Sequence, residues 1–81
     1  MTSQELRIRA ANEVDEIGPE PTTKAEREVW AEERRGAIVL LGELAGGDAD
    51  LLKEAALDPA DGSSSAGREL LVAAAKAAAR G

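Results

Sequence analysis

The segment GAIVLLGEL at residues 36–44 is the only dense block of large aliphatic side chains in a chain of 81 residues, of which 32% are charged. A chain this short buries a smaller fraction of its surface than a larger protein does, so the block needs cover from the rest of the chain or from another surface. The chain contains no cysteine and no histidine. Disulfides and thiolate or imidazole metal sites therefore cannot supply the stability that a thin core lacks.

The composition favours helices, because alanine, glutamate, leucine and arginine are abundant and all four are good helix formers. A first helix is predicted over residues 3–17, where Thr2 and Glu5 have capping-box spacing and Gly18 followed by Pro19 ends the pattern. Helical spacing places four apolar side chains on one face of it: Leu6, Ala10, Val14 and Ile17.

The second predicted helix covers residues 24–45 and contains the aliphatic block in its second half. Thr23 and Glu26 again have capping-box spacing, and the Gly46 and Gly47 pair ends the pattern. A short buried strand over residues 37–41 is the alternative. The helix is favoured because the apolar residues from Trp30 onward keep helical spacing and no second strand is available for pairing.

Two shorter helices are predicted over residues 49–57 and 65–80. Asp48 or Asp50 is the expected N-cap of the third helix, which must end before Pro59. The fourth helix is expected to begin from Ser64 or Ser65. The predicted fold is therefore all-α, a small single-domain bundle of three to four helices over residues 1–81.

The second half of the long helix is expected to be the centre of the core. Leu41 and Leu44 should face Leu51 and Leu52 across the glycine turn. Residues 38–40 then need cover from the ELLV segment at residues 69–72 or from another chain. Five residues form this predicted core hub: Ile38, Leu41, Leu44, Leu51 and Leu52.

The residue types required for catalysis do not occur in a usable pattern. Ser63, Ser64 and Ser65 have no histidine to activate them, and the acidic residues around Asp48 lack the spacing of a calcium-binding loop. A helix-turn-helix interpretation of residues 24–57 fails because its recognition helix would carry net negative charge against phosphates. No catalytic, cofactor or metal site is predicted, the chain is not expected to be an enzyme, and no direct nucleic-acid binding is expected.

Charge patterning is more informative, since the net charge is −6 and the acidic residues are clustered. Glu13, Asp15 and Glu16 lie near the C-terminal end of the first helix, where the helix dipole disfavours negative charge. They serve either solubility or a basic partner surface. Trp30, the only aromatic residue, is either a core side chain or a binding hot spot. The candidate partner-binding residues are Glu13, Asp15, Glu16, Trp30, Asp48, Asp50 and Glu54.

Three functions compete on this basis. The leading hypothesis is a small acidic, non-enzymatic module that binds a larger protein through a basic surface of that partner. The alternative is a structural or assembly subunit, such as a phage particle component or a self-assembling helical oligomer, because the core is thin. A third is an acidic mimic of DNA that inhibits a nucleic-acid-binding protein.

Origin and location follow from composition alone. Arginine outnumbers lysine seven to three and alanine is abundant, a bias typical of GC-rich bacterial genomes and their phages. Met1 leads into charged sequence and not into an apolar signal region, and no apolar run approaches the roughly 20 residues that cross a bilayer. A cytoplasmic location without membrane contact is expected, or the virion for a phage structural component.

Overall fold

The computed structural model describes residues 2–57 and 65–80 of the chain. The helices within these residues are α1 (Ser3–Ile17), α2 (Lys24–Leu44), α3 (Ala49–Leu57) and α4 (Ser65–Arg80). The all-α prediction is confirmed, and the predicted bounds agree except that α2 ends one residue earlier. Residues 37–41 are helical, so the strand alternative is wrong. The predicted stop at Pro59 and cap at Ser64 lie outside the described residues.

Local hydrogen bonds at the helix starts explain why the boundaries were predictable. The Thr2 hydroxyl accepts a bond from the Glu5 backbone N–H at 3.2 Å, and the Glu5 carboxylate accepts one from the Thr2 N–H at 3.1 Å. The backbone and side-chain hydrogen bonds from Thr2 lower the pKa of Glu5 below its ordinary value. Asp48 is the cap of α3, since its carboxylate accepts a bond from the Leu51 N–H at 3.1 Å.

The turn after α2 depends on two glycines with positive φ, Gly46 at 65° and Gly47 at 77°. The Gly47 N–H donates to the Gly42 carbonyl at 2.9 Å, and the Gly46 N–H donates to the Glu43 carbonyl at 3.0 Å. This pair of bonds is a Schellman motif, which satisfies the last carbonyls of a helix and turns the chain out of its axis.

The core is organised around α4, which packs against all three other helices and most extensively against α3. Its buried face repeats at helical spacing and consists of Gly67, Leu70, Leu71, Ala74 and Ala75. The small side chains on this face let neighbouring helices approach closely. In contrast, α2 and α3 make little contact with each other. The prediction that α2 is the central helix was therefore wrong, although Leu41 of α2 and Leu52 of α3 do belong to one buried cluster, with Leu44 and Leu51 packed against it.

The members of the predicted core hub differ in burial. Leu41 and Leu52 are fully buried, whereas Ile38, Leu44 and Leu51 lie half-buried at the edge of the core. The molecule measures 35 × 30 × 15 Å between Cα extremes, so it has room for few fully enclosed positions. Leu70 and Leu71 of the ELLV segment are buried, but Val39 remains 59% exposed.

In the part of the chain that the structure describes, no helix combines the length and the apolar character needed to cross a membrane.

Candidate functional site

A shallow, open groove between α1 and α2 combines acidic side chains with an apolar floor. Glu13 and Glu16 of α1 and Glu33 of α2 provide the carboxylates. Four further residues complete the lining: Ile17, Gly36, Ala37 and Leu40. Residues 33, 36, 37 and 40 form one stripe of α2, and residues 13, 16 and 17 form one stripe of α1, so the groove follows directly from two packed helices. We call this surface the acidic groove.

The carboxylates of the acidic groove differ in how far their charge is compensated. Glu13 is 14% exposed at its side chain and pairs with Arg9, whose Nε lies 3.5 Å from its Oε1. Glu16 and Glu33 are exposed and form no ion pair with any described residue. Glu16 also lies one residue from the C-terminus of α1, where the helix dipole adds negative potential. Two charges therefore remain available to a cationic ligand.

The chemistry of the acidic groove fits separate cationic side chains better than a single ion. Among residues 2–57 and 65–80, no group of acidic side chains is arranged so that it could hold a metal ion. The groove instead has carboxylates on both of its helices, together with the apolar side chains of Ala37 and Leu40, and so matches a ligand that carries lysine or arginine next to an apolar side chain.

Asp15 lies beside the acidic groove rather than in it. It shares a shallow outer surface of α1 with Arg9, Asn12 and the two glutamates at positions 13 and 16. Its charge extends the negative surface without contacting the apolar floor.

Trp30 has a structural environment outside the acidic groove. Its indole N–H donates to the Gly18 carbonyl at 3.0 Å, and its half-buried ring lines a small cleft with Val14, Ile17 and Leu70. The hydrogen bond thus ties the side chain to the connection between α1 and α2, and the cleft beside the ring reaches the start of α4. The hydrogen bond favours a structural role for Trp30 over a binding hot spot.

The acidic residues of α3 form a separate set. Asp48 is occupied as the N-cap, and Asp50 and Glu54 are exposed on α3, away from the acidic groove. The structure therefore brings together Glu13 and Glu16 of the predicted residues and adds Glu33, which sequence reasoning missed. Glu33 has helical spacing to Ala37 and Leu40, but only the packing of α1 on α2 shows that this stripe faces other acids.

Gly36 lies exposed in the middle of α2 within the acidic groove, and a Cβ at this position would meet nothing within 4 Å. The fold therefore has no steric need for glycine here, although glycine costs a helix interior about 1 kcal/mol relative to alanine. Because Gly36 has no side chain, the backbone of another helix can approach α2 closely at this point of the groove.

Gly36→Ala and Gly42→Ala are each expected to raise the free energy of unfolding by about 0.5–1 kcal/mol, because both glycines are helical with open space around the missing Cβ. Gly42 is the matched control, since it lies in the same helix but outside the acidic groove. Urea unfolding followed by circular dichroism measures both. Destabilisation by Gly36→Ala would show that the space seen beside α2 is not open in solution.

Comparison of the chain with known protein families, with curated proteins and with solved structures finds no match in any of the three.

Proposed function

We propose that the protein is a small module that binds a larger protein partner by holding a basic helical segment of that partner in the acidic groove. Binding rather than catalysis is its role in this proposal. The observation that carries it is the presence of uncompensated Glu16 and Glu33 on the two walls of a groove with an apolar floor.

A helix is the ligand shape that fits best. A groove between two packed helices accepts a third helix, whose apolar side chain at one position anchors it while side chains one turn away reach the rim. Leu40 and Ile17 supply apolar contact for such an anchor, and Gly36 allows the ligand helix to approach α2 closely. Lysine or arginine one turn before and after the anchor would pair with the carboxylates.

Charge supports the choice of a basic partner. The net charge of −6 attracts a basic surface over long range and speeds its association. At the groove itself, the partly exposed rim carboxylates act mainly on specificity, because each exposed ion pair contributes only about 0.2–1 kcal/mol. The apolar floor must therefore contribute much of the affinity.

The test uses a synthetic alanine-rich helical peptide with arginine, valine and lysine at positions i, i+4 and i+8. Titration into the ¹⁵N-labelled protein should shift the amide signals of Gly36 and Leu40. The variant Glu13→Gln, Glu16→Gln, Glu33→Gln should weaken binding by roughly fivefold to thirtyfold, because each of the two cations of the peptide loses an ion pair worth about 0.5–1 kcal/mol. Gly36→Ala should also weaken it.

The matched control is Glu28→Gln, Asp50→Asn, Glu54→Gln, which removes the same charge from exposed positions outside the acidic groove. It should bind the peptide with nearly the affinity of the native chain. Equal weakening by both triple variants would show that only net charge attracts the peptide, and absence of shifts at Gly36 and Leu40 would overturn the site.

A further inference from the structure

The outer surface of α4 carries a ridge that the proposed function does not use. Arg68, Val72 and Lys76 are spaced at i, i+4 and i+8 and are all exposed, Val72 by 38%. With Arg34 of α2 they line one basic surface, in which Glu69 is the acidic member. Arg68 and Lys76 form no ion pair with any described residue. We call these three residues of α4 the basic ridge.

The basic ridge has the pattern proposed above for a ligand of the acidic groove. It presents a cation, an apolar side chain and a second cation on one face of a helix. Arg68 and Lys76 lie about 12 Å apart along α4, and the α2 side of the groove from Glu33 to Leu40 spans about 10 Å. The two surfaces are therefore opposite in charge and similar in length. Both carry charges that no described residue of the same chain compensates.

We propose that the protein associates with itself head to tail, with the basic ridge of one copy docked in the acidic groove of a second copy. Val72 would contact the apolar floor, while Arg68 and Lys76 would pair with the rim carboxylates. Since the two surfaces are different, each contact leaves one ridge and one groove free, and the association continues unless a ring closes.

This contact is small and forms between chains that each carry a net charge of −6, so it is weak and depends on concentration. It uses the same groove as the proposed function but needs no external partner. Self-association and partner binding therefore compete for one surface, and the protein at high concentration would bind partners less well.

The experiment uses two variants in sedimentation equilibrium at up to about 0.5 mM, which reaches the weak range of affinities. The groove variant is Glu13→Gln, Glu16→Gln, Glu33→Gln, and the ridge variant is Arg68→Gln, Lys76→Gln. The native chain should show an average mass that rises with concentration beyond that of a dimer. Each variant alone should stay at the mass of one chain, and an equimolar mixture should form a heterodimer that stops at two chains.

Each variant has a charge-matched control that should associate like the native chain. The control for the groove variant is the triple variant Glu28→Gln, Asp50→Asn, Glu54→Gln. The control for the ridge variant is the double variant Lys24→Gln, Lys53→Gln. A native chain that stays monomeric overturns the proposal, as does a mixture that fails to form the heterodimer. Because the ridge variant keeps an intact groove, it should still bind the synthetic peptide. Binding of that peptide without self-association would remove this inference and leave the proposed function standing.

Discussion

Leu52→Ala is expected to lower the free energy of unfolding by about 3–5 kcal/mol, whereas the same substitution at Leu57 is expected to change it by less than about 0.5 kcal/mol. Both leucines lie on α3, but Leu52 is fully buried and Leu57 is 78% exposed. Removing the Leu52 side chain opens a cavity next to the alanine-rich face of α4, which has few larger side chains that could refill the space.

Urea unfolding followed by far-UV circular dichroism gives both values. A chain of 81 residues has roughly 4–12 kcal/mol of stability in total, so Leu52→Ala should leave a substantial fraction unfolded at moderate temperature. Similar effects of the two substitutions would mean that α3 does not present Leu52 to the core, and the packing of α3 on α4 would then be wrong.

Trp30→Ala is expected to lower the free energy of unfolding by about 2–4 kcal/mol. This loss is somewhat smaller than the loss for a fully buried tryptophan, because the ring of Trp30 is half-buried. Trp30→Phe keeps most of the apolar contact but leaves the Gly18 carbonyl without its donor. It is expected to cost about 1 kcal/mol. The two variants together separate the packing of the ring from the hydrogen bond that fixes the end of α1.

Circular dichroism is the appropriate probe, because both substitutions remove the only tryptophan and its fluorescence. If Trp30 were a binding hot spot without a structural role, Trp30→Ala would leave stability unchanged and abolish binding of the basic peptide. The structure leads to the opposite expectation: reduced stability, and unchanged affinity in whatever fraction of the protein is folded, since the ring lies outside the acidic groove.

The helices could be predicted because their boundaries depend on neighbours in the sequence. Thr2, Thr23 and Asp48 each cap a helix through a residue three positions later. The Gly46 and Gly47 turn likewise depends on hydrogen bonds that span at most five residues. Such interactions require no knowledge of tertiary packing.

The arrangement of the helices was less predictable, because the largest aliphatic side chains did not mark the central helix. The aliphatic block drew attention to α2, yet α4 contacts every other helix through alanine and glycine positions that add little to a hydrophobicity pattern. Val72 shows the same limit, since it follows two buried leucines but faces outward at 38% exposure.

The candidate site was predictable only in part. Glu13 and Glu16 stood out because negative charge near the end of α1 opposes the helix dipole. Glu33 did not, because its importance depends on which face of α2 meets α1. The predicted role of Asp50 and Glu54 in partner contact stays a prediction. The basic partner, the cytoplasmic location and the DNA-mimic alternative also stay predictions.

The central position of α4 also determines the order in which the chain can fold. α4 follows the other three helices in the sequence and packs against each of them, α1 included, from about sixty residues away. During synthesis, Leu6, Leu41 and Leu52 therefore have no complete core to enter until α4 leaves the ribosome. Folding should be a single cooperative step that waits for α4, preceded by a nascent chain whose apolar faces are accessible to chaperones.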